Sequence, residues 1–166
     1  NIPGLSIGLT KDDAIIYSKG YGVRNIRDEN AVTENTVFHT ASISKLFTAV
    51  GILKLFKEGK LSLDDKMVSV LPNLNYKDDD ISQVTVLNLL NHTSGLPDIG
   101  NYYWDRGNES ENALRASIMD RKLSLDAEPD TEYQYSNLGY NVLGLIIEEV
   151  SGTNFDEFMK SNILDE

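Results

Sequence analysis

The sequence has 166 residues and contains no cysteine, one tryptophan, two histidines and four prolines. Without cysteine there are no disulfides, no thiolate metal sites and no thiol nucleophile. The two histidines, with no paired-carboxylate motif beside them, give no metal-ligand pattern. Basic residues are scarce as well: 15 Lys and Arg stand against 26 Asp and Glu, for a net charge of −11. That balance excludes non-specific nucleic-acid binding, which needs a basic surface. No stretch approaches the roughly 20 apolar residues of a membrane-spanning helix. No signal peptide, internal repeat or low-complexity linker is visible. The chain opens on Asn1-Ile2-Pro3-Gly4, so the natural N-terminus is read as removed or lying upstream.

What is present is organised around Ser42-Ile43-Ser44-Lys45. An apolar run with helical spacing follows, in which Leu46, Phe47, Val50, Leu53 and Phe56 share one face. Ser42 is therefore placed at or just inside a helix N-terminus, with Lys45 one turn on and on the same side. A serine hydroxyl is a weak nucleophile until a neighbouring base takes its proton. The free N–H groups and positive field of the helix start favour an oxyanion there. Taken alone, the pair is also compatible with Ser42 as a helix cap and Lys45 as a surface lysine.

Upstream, Leu5–Thr10 and Ala14–Lys19 read as a β-hairpin around the turn Lys11-Asp12-Asp13, prolonged or bulged by Gly20–Val23. Downstream the chain reads as helices. The first ends near Glu58 with Gly59 as its stop, and a short one spans Val84–Asn91 with Thr85 as its cap. Others cover Glu109–Arg121 and Leu138–Val150, the latter stopped at Gly152. A last helix runs to Ser161 behind a capping box at Thr153–Asp156. The aspartates of Tyr76–Asp80 lack calcium-loop spacing and read as solvated surface. Residues 1–37 thus form a hairpin and loop, and 38–166 a mostly helical region. A lone hairpin is marginal in water, so these strands call for more partners than the chain offers.

Tyr135-Ser136-Asn137 lies at a loop-to-helix junction. A phenol near a serine and an amine can relay a proton, and a side-chain amide can hold a carbonyl or orient a lysine. The plainer alternative is that Ser136 or Asn137 caps the helix and Tyr135 packs.

Together these blocks resemble the serine hydrolases related to class C β-lactamases, a family that includes D-alanyl-D-alanine carboxypeptidases and esterases. Ser42-x-x-Lys45 resembles its first motif and Tyr135-x-Asn137 its second. Leu89-Leu90-Asn91-His92-Thr93-Ser94-Gly95-Leu96-Pro97 is similar to a third family block, and Gly144–Gly152 and Ile2–Ile7 continue the likeness. The resemblance implies an α+β penicillin-recognising serine hydrolase fold, an antiparallel sheet flanked by helices plus a mostly helical region. It implies acyl transfer from an ester, amide or β-lactam to Ser42 and then to water. Lys45 and Tyr135 would share the proton, Asn137 would bind the substrate's acyl side and position Lys45, and the Ser42 N–H would form half of an oxyanion hole. No cofactor or metal is implied. The partner is a small-molecule or peptidoglycan-type acyl substrate, met outside the cytoplasm by family habit, with a cytoplasmic site also open.

Two departures stand out. Pro129-Asp130 replaces the family's proline-glycine, which is expected to reshape the loop before Tyr135. Neither Lys-Thr-Gly nor His-x-Gly, the family's later motif, occurs, so the chain reads as the N-terminal portion of a longer domain whose missing strands or another chain complete the sheet. The competing readings are a Ser-His-Asp triad using His39 or His92, and a catalytically incomplete binding or assembly module that keeps the fold.

Overall fold

The computed structural model describes residues 2–27, 29–100, 113–119 and 121–165. The chain divides into two compact units, residues 1–41 and 42–166. The first is built on strands β1 (Gly4–Lys11) and β2 (Ala14–Gly22), paired antiparallel from Gly4↔Gly22 to Lys11↔Ala14 with a bulge between Leu9 and Thr10. The tight turn between them needs positive φ at both central residues, and Asp12 (47°) and Asp13 (61°) supply it. The second strand runs past Lys19 to Gly22, as Gly20–Val23 suggested. Val32 packs against this hairpin and donates its N–H to the Gly22 carbonyl at 3.0 Å. Leu5, Leu9, Ile15, Ile16, Tyr17 and Tyr21 stay exposed.

The second unit holds helices α1 (Ser44–Lys57), α2 (Met67–Val70), α3 (Val86–Asn91), α4 (Ala113–Met119), α5 (Asn137–Ser151) and α6 (Phe155–Met159). Helix α5 is its axis. Val142, Leu143, Leu145, Ile146 and Ile147 are all buried, because α5 meets each of the other five helices. Over residues 142–147 the helix is apolar on every side, and such a stretch is stable only when surrounded in this way. Helix α1 reaches α5 through Gly51, where an added Cβ would stand 3.0 Å from the Ile147 Cδ1. Ile52 and Leu55 bury beside it.

The helix ends follow the sequence closely. Thr85 and Asn88 form a reciprocal capping box on α3, and Gly152 at φ 73° stops α5. Three details differ. The cap of α6 is Asn154, which accepts the Glu157 N–H, so the cap sits one residue later than Thr153, and the α-helix gives way after Met159 to a π turn over Lys160–Leu164. The acidic loop is not only solvated, since Asp78 accepts the Leu125 N–H at 3.0 Å and Asp79–Gln83 winds into a 3₁₀ turn. The expected helix over 109–121 is seen as α4; residues 109–112 and 120 lie outside the described residues.

Helix α1 also presents a second apolar side. Leu46, Phe47, Val50, Leu53 and Phe56, the face picked out by their spacing, are 42–67 % exposed. The buried side is Thr48, Gly51, Ile52 and Leu55. The periodicity therefore detected a real apolar stripe, and it is the opposite stripe that packs on α5.

Candidate active site

Ser42 sits in a 3₁₀ turn, Ala41–Ile43, that leads directly into α1. The residue before it, Ala41, has φ 47°, a left-handed conformation that costs a non-glycine residue about 1 kcal/mol or more. The Ala41 N–H is held by the Nδ1 of His39 at 3.0 Å. No side chain caps α1, so Ser42 is not spent on capping. Its Oγ lies 2.7 Å from the Tyr135 Oη and accepts from the Lys45 Nζ at 3.3 Å. Lys45 also donates to the Asn137 Oδ1 and stands 4.9 Å from the centre of the Tyr135 ring. The four residues named from two distant stretches of sequence thus form one connected cluster.

The tripeptide 135–137 divides its labour. Ser136 is the N-cap of α5: its Oγ accepts the Gly139 N–H at 2.9 Å and donates to the Pro97 carbonyl at 2.8 Å. That leaves Tyr135 on one side of the cap, 39 % exposed, and Asn137 as the first residue of the helix. Both point at Lys45. The hydrogen bond from Lys45, then that from Ser42, holds the Tyr135 phenol below its usual pKa, against burial and the negative charge of Asp98. A phenol shifted in this direction gives up and takes back a proton more readily near neutral pH.

His92 takes no part in a triad. It is the left-handed C-cap of α3 (φ 62°) and is 9 % exposed. Its backbone carbonyl accepts the Gln134 N–H at 2.8 Å and its Nδ1 accepts the Ser136 N–H at 3.1 Å. The imidazole lies 4.6 Å from the Tyr135 ring, centre to centre, with Tyr140 and Tyr133 also against it. Burial, then the Lys45 charge, pushes its pKa down, so the neutral ring that can accept from Ser136 is favoured.

The turn after His92 depends on Gly95. At φ 72° this residue lies in the left-handed region, and a Cβ there would overlap the Ala127 carbonyl oxygen. The close approach lets the Asp126 N–H reach the Gly95 carbonyl at 2.8 Å. Asp130 ties the loop before Tyr135 to α3 and the turn after it. It adopts φ 65°, the conformation a glycine would supply, and its Oδ1 accepts from the Asn88 Nδ2 (2.6 Å) and the Thr93 Oγ1 (3.2 Å). Asp98, one residue beyond the block quoted from the sequence, was missed there; it accepts from both the backbone and the side chain of Asn137. Only the spatial pairing of two loops reveals it. Among the described residues no cluster of acidic residues and histidines is arranged to hold a metal ion, and no helix is long and apolar enough to cross a membrane.

A serine in the turn leading into one helix and a lysine in that helix's first turn, joined to a tyrosine and an asparagine from the start of a second helix in this α+β setting, define a penicillin-binding or β-lactamase type of protein. The family model described as Beta-lactamase matches residues 1–166, and the chain belongs to that family. A penicillin-binding protein of Bacillus subtilis is 36 % identical over 153 residues, 90 % of this chain and 33 % of that protein. The chain spans about a third of the length of such relatives. Among solved structures, the octameric penicillin-binding protein homologue from Pyrococcus abyssi aligns with a TM-score of 0.78 at 36 % identity, over 99 % of this chain and 39 % of that one. A class C β-lactamase in complex with cefoxitin aligns at 0.77 and 30 % identity, over 99 % and 44 %. The fold is the one these structures share.

Proposed function

We propose that this chain carries the nucleophile-bearing part of a serine hydrolase that works through an acyl-enzyme on an ester, amide or β-lactam. The observation that carries the reading is the placement of the Ser42 Oγ against both the Tyr135 Oη and the Lys45 Nζ. Ser42 attacks the substrate carbonyl, forming a carbon–oxygen bond while its proton passes to the Tyr135–Lys45 pair. The bond to the leaving nitrogen or oxygen then breaks, and the leaving group takes that proton. Water repeats the sequence in reverse and frees Ser42. Positive charge on Lys45 stabilises the phenolate form of Tyr135 during the transfer. Asn137 has two tasks: its Oδ1 fixes Lys45, and its amide edge meets the acyl side of the substrate. The Ser42 N–H at the helix start serves the oxyanion. Cefoxitin in the structure of a relative supports a β-lactam or a related acyl peptide as the substrate class. Such substrates are met outside the cytoplasm, which supports an extracytoplasmic site over a cytoplasmic one.

Intact-mass spectrometry after treatment with a fluorophosphonate and, separately, a penicillin tests this. The expected result is one adduct on Ser42, absent in Ser42→Ala and slowed by on the order of 100-fold in Lys45→Ala. No adduct on this chain or on the full-length protein would sink the reading.

A second reading rests on the exposed stripe of α1, Leu46, Phe47, Val50, Leu53 and Phe56. An apolar surface of that kind marks a place where further protein binds. On this reading the chain is a binding or assembly module, and labelling appears only when more protein, from the same chain or another, covers the stripe.

A further inference from the structure

We propose that Asp98 is a positioning residue for the activation of Ser42, holding the Asn137 amide with its carbonyl oxygen turned toward Lys45. The inference rests on the serine hydrolase reading and names a residue that reading does not use. An asparagine amide can turn over at little steric cost, and its two ends then exchange donor for acceptor. What faces Lys45 is therefore decided by the partner at the other end. Asp98 is that partner. Its Oδ1 accepts from the Asn137 Nδ2 at 2.9 Å, from the Asn137 backbone N–H at 2.9 Å and from the Ile99 N–H at 2.8 Å.

A carboxylate can only accept, so Asp98 excludes the flipped amide, which would bring two oxygens together. With the Asn137 Oδ1 turned to Lys45, one N–H of the lysine is committed there, and the Nζ is left directed at the Ser42 Oγ, 3.3 Å away. The path Asp98–Asn137–Lys45–Ser42 thus orients the amine that shares the serine proton. Asp98 is itself fixed in register. Its neighbour Pro97 accepts the Ser136 hydroxyl at 2.8 Å, so two successive residues of one loop grip two successive residues at the start of α5. The same carboxylate also favours the positive end of α5, which would stabilise the helix without touching reactivity. The test separates these roles.

The rate of Ser42 labelling by a fluorophosphonate is measured in wild type, Asp98→Ala, Asp98→Asn, Asn137→Ala and the double variant Asp98→Ala/Asn137→Ala. In the labelled step the serine oxygen–phosphorus bond forms, the phosphorus–fluorine bond breaks, fluoride leaves with the electron pair, and the serine proton goes to the Tyr135–Lys45 pair. Asp98→Ala should slow labelling by on the order of 10- to 100-fold through misplacement of Lys45. Asp98→Asn keeps an oxygen acceptor and should stay within about threefold of wild type. In the Asn137→Ala background, loss of Asp98 should change the rate by less than about twofold, because the two act as one unit. An equal slowing in both backgrounds, or none in Asp98→Ala, overturns the proposal. If wild type is not labelled, the proposed function fails, and the inference is read by NMR instead. Magnetisation transfer through the hydrogen bond from the Asn137 side-chain nitrogen to the Asp98 carboxyl carbon supports it, and its absence in the folded protein refutes it. The same measurement decides the case if Asp98→Ala does not fold.

Discussion

Replacing Asp130 by glycine sets two effects of one residue against each other. Asp130 holds φ 65°, which disfavours any residue with a Cβ. Glycine removes that strain, worth roughly 0.5–1 kcal/mol for an aspartate, but it also loosens the unfolded chain by a similar amount, so the backbone terms nearly cancel. What remains is the side chain. The Asp130 Oδ1 accepts from the Asn88 Nδ2 at 2.6 Å, and Asn88 is 2 % exposed and ties Thr85 and Thr93 together. Asn88 keeps its bond to the Thr93 Oγ1, so the amide is weakened rather than orphaned, and the loss is about 1–2 kcal/mol. Asp130→Gly should therefore lower the stability by that amount, a fall in Tm of roughly 3–6 °C for a chain of this size. Asp130→Ala loses the bond and is strained more than aspartate at positive φ by roughly 0.5–1 kcal/mol, for about 1.5–3 kcal/mol in all. Asp130→Asn keeps both the tolerated conformation and an acceptor, and should cost less than about 1 kcal/mol. Urea denaturation of the four proteins at pH 7 gives the order directly. A glycine variant as stable as wild type, or more so, would refute the assignment of Asp130 as a hydrogen-bonded replacement for glycine.

Gly95→Ala puts a Cβ into the Ala127 carbonyl at positive φ, and should destabilise by about 3 kcal/mol and slow Ser42 labelling, as followed by thermal melts and adduct mass. Leu143→Ala, at a fully buried position of α5, should cost about 2–5 kcal/mol in the same melts. Because the His92 pKa is pushed down, its stabilising share is fully present above the ordinary value of about 6.5 and is lost as pH falls through the lowered value. Stability and labelling rate should therefore both fall on acidification from pH 7, and His92→Asn, which tolerates the left-handed cap and keeps an acceptor for Ser136, should flatten that limb. Asp98→Asn removes a charge that opposes ionisation of Tyr135, so the phenol should titrate at lower pH by ultraviolet absorbance than in wild type.

Much of this arrangement is legible in the sequence because it is local. Thr85, Ser136 and Gly152 are helix-end signals set by nearest neighbours, and three-residue spacing alone brings Lys45, in the first turn of α1, to the side of Ser42 in the turn before it. The pairing of Tyr135 with Ser42 is 93 residues distant and came only from the likeness of whole blocks to a family. Local rules could not tell Asp130 from an ordinary loop aspartate, because its left-handed backbone is fixed by Asn88 and Thr93. They also could not say which apolar stripe of α1 is covered, since both stripes have the same period and only the partner helix α5 chooses between them.

The cluster has an asymmetry that follows from these contacts. Ser42, in the 3₁₀ turn, and Lys45, in the first turn of α1 that follows it, are three residues apart on one continuous segment and need little else to stay together. Tyr135 and Asn137 flank a helix start and are held by a single short turn. His92 takes the N–H groups of Gln134 and Ser136, Pro97 takes the Ser136 hydroxyl, and Asp98 takes two atoms of Asn137. Gly95 lets that turn close on residues 126 and 127. Damage to the turn should therefore separate the proton-handling tyrosine and asparagine from an intact serine–lysine pair. Reactivity at Ser42 would then fall further than stability does, and residues 92–98 would control the chemistry without one of them meeting the substrate.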